Sequence, residues 1–215
     1  NMTMTFIGAA MLWVGWFGFN GGSALSAGGD AAMAILATHI SAAAGAMTWM
    51  FYEWVKFGKP TALGSVTGMV AGLGTITPAS GFVGPAGALV IGIIAGAVCF
   101  NAVIMIKQKF KIDDSLDVFP VHGVGGICGT ILVGFFASKE LGIFSGQGGW
   151  SHEAIVISDQ LQIQLTAVVA TAAYTALATF VILKIVDVVT GLRVDSQTET
   201  QGLDLDSHGE TGYNL

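Results

Sequence analysis

Long apolar runs broken by short polar segments set the pattern of this chain. No Asp, Glu, Lys or Arg occurs in residues 1–29, 31–52, 60–106 or 160–183. About 20 consecutive apolar residues cross a hydrocarbon core of about 30 Å, so each run is long enough to span a bilayer. The run 60–106 is too long for one crossing. Its middle, Thr75-Ile-Thr-Pro-Ala-Ser-Gly-Phe-Val-Gly-Pro85, pairs two prolines with small polar residues, a turn signature. The runs do not alternate apolar and polar positions with period two, which favours helices over barrel strands. The pattern therefore predicts an all-α integral membrane protein. Its six transmembrane helices fall at 4–24, 31–55, 61–78, 84–107, 116–137 and 160–189, so residues 1–190 form a membrane domain and 191–215 a polar tail.

Composition agrees. Charged residues make up 10% of the chain, against about 25% in soluble domains, and mean hydropathy is +0.72. The net charge of −6 belongs mostly to the tail, where Arg193 stands against Asp195, Glu199, Asp204, Asp206 and Glu210. The cations carry the topology. With six spans, Lys56, Lys59, Lys107, Lys109, Lys111, Lys184 and Arg193 fall on one side and only Lys139 on the other. The positive-inside rule then places both Asn1 and the tail in the cytoplasm, for a multi-pass protein of the cell (inner or plasma) membrane. Residues 1–29 lack the basic front of a signal peptide. Glycine is abundant, with GxxxG spacing at Gly18/Gly22, Gly68/Gly72, Gly92/Gly96 and Gly125/Gly129, which suits close approach of helix backbones. Cys99 and Cys128 sit in apolar spans and read as small packing residues.

Against this background His122 stands out. It lies near the start of residues 118–138, which contain no Asp, Glu, Lys or Arg, and an ionisable side chain inside a bilayer is expensive unless it faces a bundle interior or a water path. Pro120 precedes it and Gly123, Gly125 and Gly126 follow, leaving room beside the ring. Two readings stay open: a structural imidazole bonded to a backbone carbonyl, and a ring that relays a proton or lines a path for a small polar molecule. The second cluster is Trp13-Val-Gly-Trp16-Phe17-Gly-Phe19-Asn20-Gly-Gly-Ser23. Its rings suit an interfacial aromatic belt, but Phe19 and Ser23, four residues apart, share a helix face. A π-face and a hydroxyl lone pair together suit a small cation.

Among the rest, His39 reads as hydrogen-bonded packing, and His152 and His208 as solvated. Asp113, Asp114 and Asp117 complement a helix N-terminus, with Asp117 placed to bond neighbouring backbone at the helix start. No metal-ligand spacing, phosphate loop, dinucleotide fingerprint or nucleophile elbow occurs, and no basic patch for nucleic acid, so neither an enzyme nor a cofactor is expected.

Four segments together resemble the ammonium transporter family (Amt/Mep, related to Rhesus proteins): Gly15-Trp-Phe-Gly-Phe-Asn-Gly-Gly-Ser23, Thr77-Pro-Ala-Ser-Gly81, Asp117-Val-Phe-Pro-Val-His-Gly-Val-Gly-Gly126 and Gly202-Leu-Asp-Leu-Asp-Ser-His-Gly-Glu210. The resemblance covers the chain in order. It implies an eleven-helix protomer of two inverted five-helix repeats plus a last helix, of which this chain matches the second repeat and that last helix. Such repeats meet at the transport pathway. By resemblance, Phe19 is one of two stacked gate phenylalanines, Ser23 the hydroxyl of an outer cation-recruitment site, Trp16 a pore-lining residue and His122 the second of paired pore histidines. Asn20 is expected beside them. The partner histidine, the other gate ring, a recruiting tryptophan and a buried aspartate belong to the first repeat, so the chain is expected to be the C-terminal half of a longer protein. The implied function is passage of ammonium or ammonia through a gated pore. The implied partners are the bilayer, two further copies in a homotrimer and a PII-type signal protein at the cytoplasmic face. A sensor of the same fold, signalling through the tail, is the alternative. A purely structural membrane scaffold is a second one.

Overall fold

A computed structural model of the chain describes residues 1–137 and 156–212. Lys139 and His152 lie outside the described residues, as does the end of the tail, 213–215. The described elements are α1 (Met2–Gly22), α2 (Gly29–Phe57), α3 (Ala62–Ile76), α4 (Pro85–Ile104), α5 (Val124–Phe136), α6 (Ile157–Val189), α7 (Ser196–Gln201) and α8 (Leu203–His208). Two single π-helical turns adjoin them: Met105–Lys109 continues α4, and Phe119–Gly123 leads into α5. No strand occurs among the described residues.

Five helical stretches are long and apolar enough to cross a membrane: Met2–Gly22, Gly29–Phe57, Pro85–Lys109, Phe119–Phe136 and Ile157–Val189. The third expected crossing differs. α3 has 15 residues, about 22 Å of helix, and its apolar segment is completed by turns in which the N–H groups of Ala79 and Val83 donate to Ile76 and Ala79. Pro78 explains the stop, because it has no N–H to continue the ladder.

The chain divides into two compact units, Asn1–Val168 and Val169–Leu215. In the first, α2, α3 and α4 pack with their backbones almost touching. A methyl group placed at Gly92 would fall 2.5 Å from the Ser41 carbonyl oxygen, and one at Gly45 would fall 2.5 Å from that of Gly68. Methyls at Gly72 and Gly129 would strike the carbonyls of Ser41 and Thr75. Three of the four predicted glycine pairs thus serve helix contacts. The fourth does not: Gly18 and Gly22 have no described atom within 4 Å of a Cβ position. The Ser41 hydroxyl adds a hydrogen bond of 2.9 Å to the Gly72 carbonyl.

A buried carboxylate sets the turn from α2 to α3. Glu53 is 8% exposed and accepts from the Thr61 N–H at 2.6 Å and the Thr61 hydroxyl at 3.0 Å. Thr61 in turn accepts from the Gly64 N–H at 2.9 Å, capping α3. Gly64 is glycine because a methyl there would strike the Glu53 carboxylate. Gly58, in the left-handed region at φ 82°, closes α2.

The second unit holds the rest of α6 and two short tail helices. Asp195 caps α7, accepting from the N–H groups of Gln197 and Thr198 at 2.9 Å each. Its carboxyl is held below its usual range, first by the Thr198 N–H and then by the Thr198 hydroxyl. Arg193 pairs with Glu199 at 2.8 Å. The polar tail is therefore folded over most of its described length.

Candidate functional site

The π turn Phe119–Gly123 presents His122. Pro120 stands in its first positions, where its missing N–H leaves no bond unmade. The Val124 N–H reaches back five residues to the Phe119 carbonyl, which widens the turn. Single π turns inside helices are rare and concentrate at functional sites. Asp114 holds the entry: its carboxylate accepts from the N–H groups of Val118 and Phe119 at 2.9 and 2.8 Å. The role expected of Asp117, bonding helix-start backbone through its side chain, falls to Asp114 instead. Asp117 precedes the helix with φ 55°, its carbonyl accepts from Val121 N–H, and its carboxylate pairs with Lys107 at 3.0 Å. The chain's reversal before the helix turns the Asp117 side chain toward α4.

His122 itself is exposed. The indole of Trp16, on α1, lies parallel to its imidazole, with ring centroids 6.4 Å apart and planes within 9°. Gly74 on α3 is also close: a methyl there would come 3.9 Å from His122 Nδ1. The Trp16 indole is fixed from behind, its Nε1–H donating to the Thr77 hydroxyl at 2.8 Å, and Thr77 donates to the Leu73 carbonyl at 2.8 Å. On the other side Phe19 meets Trp16 edge-on, centroids 6.3 Å apart at 71°, and is 64% exposed. Ser23 is exposed one turn further and spends its proton on the Phe19 carbonyl at 2.8 Å, leaving lone pairs outward. Trp16, Phe19 and His122 therefore form a connected set of rings, with Ser23 next to Phe19 along α1.

Asn20 departs from that set. It is 4% exposed, and its amide donates to the Thr38 hydroxyl at 2.9 Å, which donates to the Ala34 carbonyl at 2.6 Å. Asn20 pins α1 to α2 rather than lining the exposed face, because its phase on α1 points it at the neighbouring helix. His39 also differs from expectation. Its ring neighbours are Trp13 at 5.3 Å and Phe17 at 5.8 Å, and it makes no hydrogen bond among the described residues. Thr77 is the residue that sequence reasoning left without a role, although its segment was singled out. α8 is the last helix of the described tail; Leu203 and Leu205 are exposed on it and His208 occupies its last turn.

The exposed rings and the Ser23 hydroxyl offer π-faces and lone pairs to a small N–H donor. The model of the Ammonium Transporter Family matches residues 1–213. The ammonium transporter of Bacillus subtilis is 46% identical over 99% of this chain and 52% of its own length. Ammonium transporter Amt1 of Archaeoglobus fulgidus is 47% identical over 99% of this chain and 52% of its own. A solved structure titled Sensor Amt Protein superposes with a TM-score of 0.85 at 31% identity, covering 96% of this chain and 49% of that one. Mep2 of Saccharomyces cerevisiae gives 0.75 at 37% identity, over 88% and 45%. The chain spans about half the length of the curated relatives it matches. On its motifs, its helical membrane architecture and a family match over nearly its whole length, this chain belongs to the ammonium transporter family, a family of multi-pass membrane transporters rather than enzymes.

Proposed function

We propose that the chain supplies one wall of a pathway that moves ammonium nitrogen across the membrane. The observation that carries this is the parallel stack of Trp16 on His122, held by Thr77 and flanked by exposed Phe19. Ammonium is a donor-only cation, so its receiving site needs acceptors and π-faces, which Ser23 and Phe19 offer. Beyond Phe19 a bare charge in an apolar passage is costly, so the ion loses a proton there, which either returns to the outer water or follows through His122. Neutral ammonia then travels past Trp16 and His122. The imidazole has one donor and one acceptor nitrogen, so it both receives and gives a hydrogen bond to ammonia and provides a station for the proton.

In the same reading the lysine-rich side and the tail face the cytoplasm, the full-length protein assembles as a homotrimer with one pathway per protomer, and the tail regulates it, with a PII-type signal protein as partner. The charge asymmetry of the loops supports the orientation. The folded, capped tail supports a regulatory role over a disordered one. The likeness to a structure titled as a sensor favours one second reading, in which the fold binds ammonium and reports it through the tail. Uptake of labelled methylammonium by cells expressing the full-length protein tests the first reading. A saturable flux abolished with Trp16 and His122 both replaced by Ala supports it; ammonium binding without flux favours the sensor.

A further inference from the structure

One ion pair ties the two π turns together. Lys107 lies inside Met105–Lys109, at the end of α4, and Asp117 stands two residues before Phe119–Gly123. Their charged atoms meet at 3.0 Å. Single π turns are rare, and here both lie beside the same contact. The segment between them is itself bonded. The N–H groups of Phe110 and Ile112 donate to the Met105 and Ile106 carbonyls at 2.9 and 3.1 Å, and the Asp117 N–H donates to the Asp114 carbonyl at 3.2 Å.

The pair carries costs that an ordinary surface contact lacks. Asp117 Oδ1, the oxygen that meets Lys107, is buried and accepts no hydrogen bond among the described residues. A buried carboxylate oxygen in that state needs a charge to offset it, and Lys107 is the cation that supplies one. Asp117 also holds φ 55°, a region that Asp tolerates but most residues avoid. Partly exposed ion pairs add little to stability, and the side chains here are 38% and 22% exposed. Stability alone therefore does not account for the strain, and strained backbone collects at functional sites.

What the pair holds is the turn that bears His122. The Asp117 carbonyl accepts from the Val121 N–H at 3.0 Å. Val121 is buried with Trp49, Cys99 and Phe100, and the Cys99 thiol on α4 makes a weak contact of 3.9 Å with its carbonyl. α4 thus grips the turn at two points, through Lys107 and through Cys99, while His122, the next residue, is exposed and stacks on Trp16. Trp16 is fixed separately, by Thr77. We propose that Lys107 and Asp117 are a positioning pair: they lock the π turn of His122 to α4 and so set the spacing of the imidazole from the indole that Thr77 holds. The inference rests on the transport reading, in which ammonia passes those two rings.

The test uses the full-length protein in liposomes, with isotope-labelled histidine read by NMR and ammonium flux measured alongside. The His122 signal is assigned by its loss in His122→Ala. Lys107→Gln and Asp117→Asn are each expected to shift or broaden that signal. Each is also expected to lower maximal flux about threefold, a small part of what misplacing a reacting group can cost. KM for ammonium is expected to stay unchanged, because Ser23 and Phe19 are untouched. The double variant is expected to be no worse than either single one, and Lys107→Arg to stay close to wild type. Lys109→Gln removes a charge from the same π turn outside the pair and is expected to leave signal and flux as they are. Asp117→Asn keeps a residue that tolerates positive φ, so the test stays open if Lys107→Gln folds poorly. An unmoved His122 signal in both single variants, additive losses in the double variant, or an equal effect from Lys109→Gln would overturn the inference. A moved signal with wild-type flux would support the brace and count against the transport reading instead.

Discussion

Thr77 is the least conspicuous residue of the site and the one whose role is most sharply testable. Its hydroxyl accepts the Trp16 Nε1–H and is itself anchored on α3. Thr77→Val keeps the shape and removes the acceptor, leaving the half-buried indole N–H without its partner. The expected cost is about 1–3 kcal/mol, seen as a lower Tm and a changed near-UV signal from tryptophan, with Thr77→Ser close to wild type. Unchanged spectra in Thr77→Val would mean that packing alone fixes the indole. Thr77 is 61 residues from Trp16 in sequence, and beside Pro78 it reads as a turn residue, so nothing local pointed to it. His122 was legible for the opposite reason: an ionisable ring in a charge-free stretch has few explanations. Asn20 was legible as special but not as to direction, because helix phase gives a face without naming the neighbour on it. Three acidic residues crowd the start of the helix bearing His122, and only the chain's path before it decides that Asp114 caps while Asp117 reaches Lys107.

At the scale of the element, glycine spacing was legible as close packing, yet spacing alone did not separate used pairs from unused ones. The structure does, and the difference is measurable. Gly72→Ala and Gly92→Ala drive a methyl at the Ser41 backbone and are expected to cost about 1–3 kcal/mol each in overpacking, with a corresponding fall in Tm. Gly18→Ala meets no described atom within 4 Å and gains helix propensity, up to about 1 kcal/mol. Equal effects at the three positions would contradict the packing. The shortness of α3 escaped the hydropathy pattern because apolar turns look the same as apolar helix. Glu53 escaped for a related reason, since a carboxylate near a span end reads as exposed until Thr61 is folded onto it. In the tail, α7 depends on ionised Asp195. Its carboxyl is depressed in the folded state, so the contribution is fully present above the unfolded value of about 3.9 and is lost as pH falls through the lower folded value. The Gln197 and Thr198 amide signals are expected to move in that acid window in the wild type and to show no such step in Asp195→Ala.

The whole molecule places chemistry where a membrane permits it: an exposed set of rings and hydroxyls on the first unit, and an acidic tail whose α7 is capped by Asp195. Fold class and family were legible because charge-free runs and four ordered motifs persist along the whole sequence. The connected geometry was not, because the contacts that close it, Trp16 with His122 and with Thr77, join segments that sequence separates. If the orientation is right, a cysteine placed at Ser207 in the full-length protein reacts with an impermeant maleimide only from the cytoplasmic side; labelling from outside would invert the topology. Deleting residues 191–215 is expected to lower flux while leaving the pathway intact, and equal flux with equal regulation by nitrogen status would make the tail dispensable. The central claim, that Trp16 and His122 line the route of ammonium nitrogen, is tested most directly by ammonium-evoked flux through purified full-length protein in liposomes, compared with His122→Ala under a potassium counter-test. The expected result is a fall in ammonium flux of about tenfold, equivalent to about 1.4 kcal/mol of barrier, or a new potassium leak through a pathway that no longer requires deprotonation. Wild-type ammonium flux with potassium still excluded in the His122→Ala protein would contradict the account and reduce His122 to a packing residue.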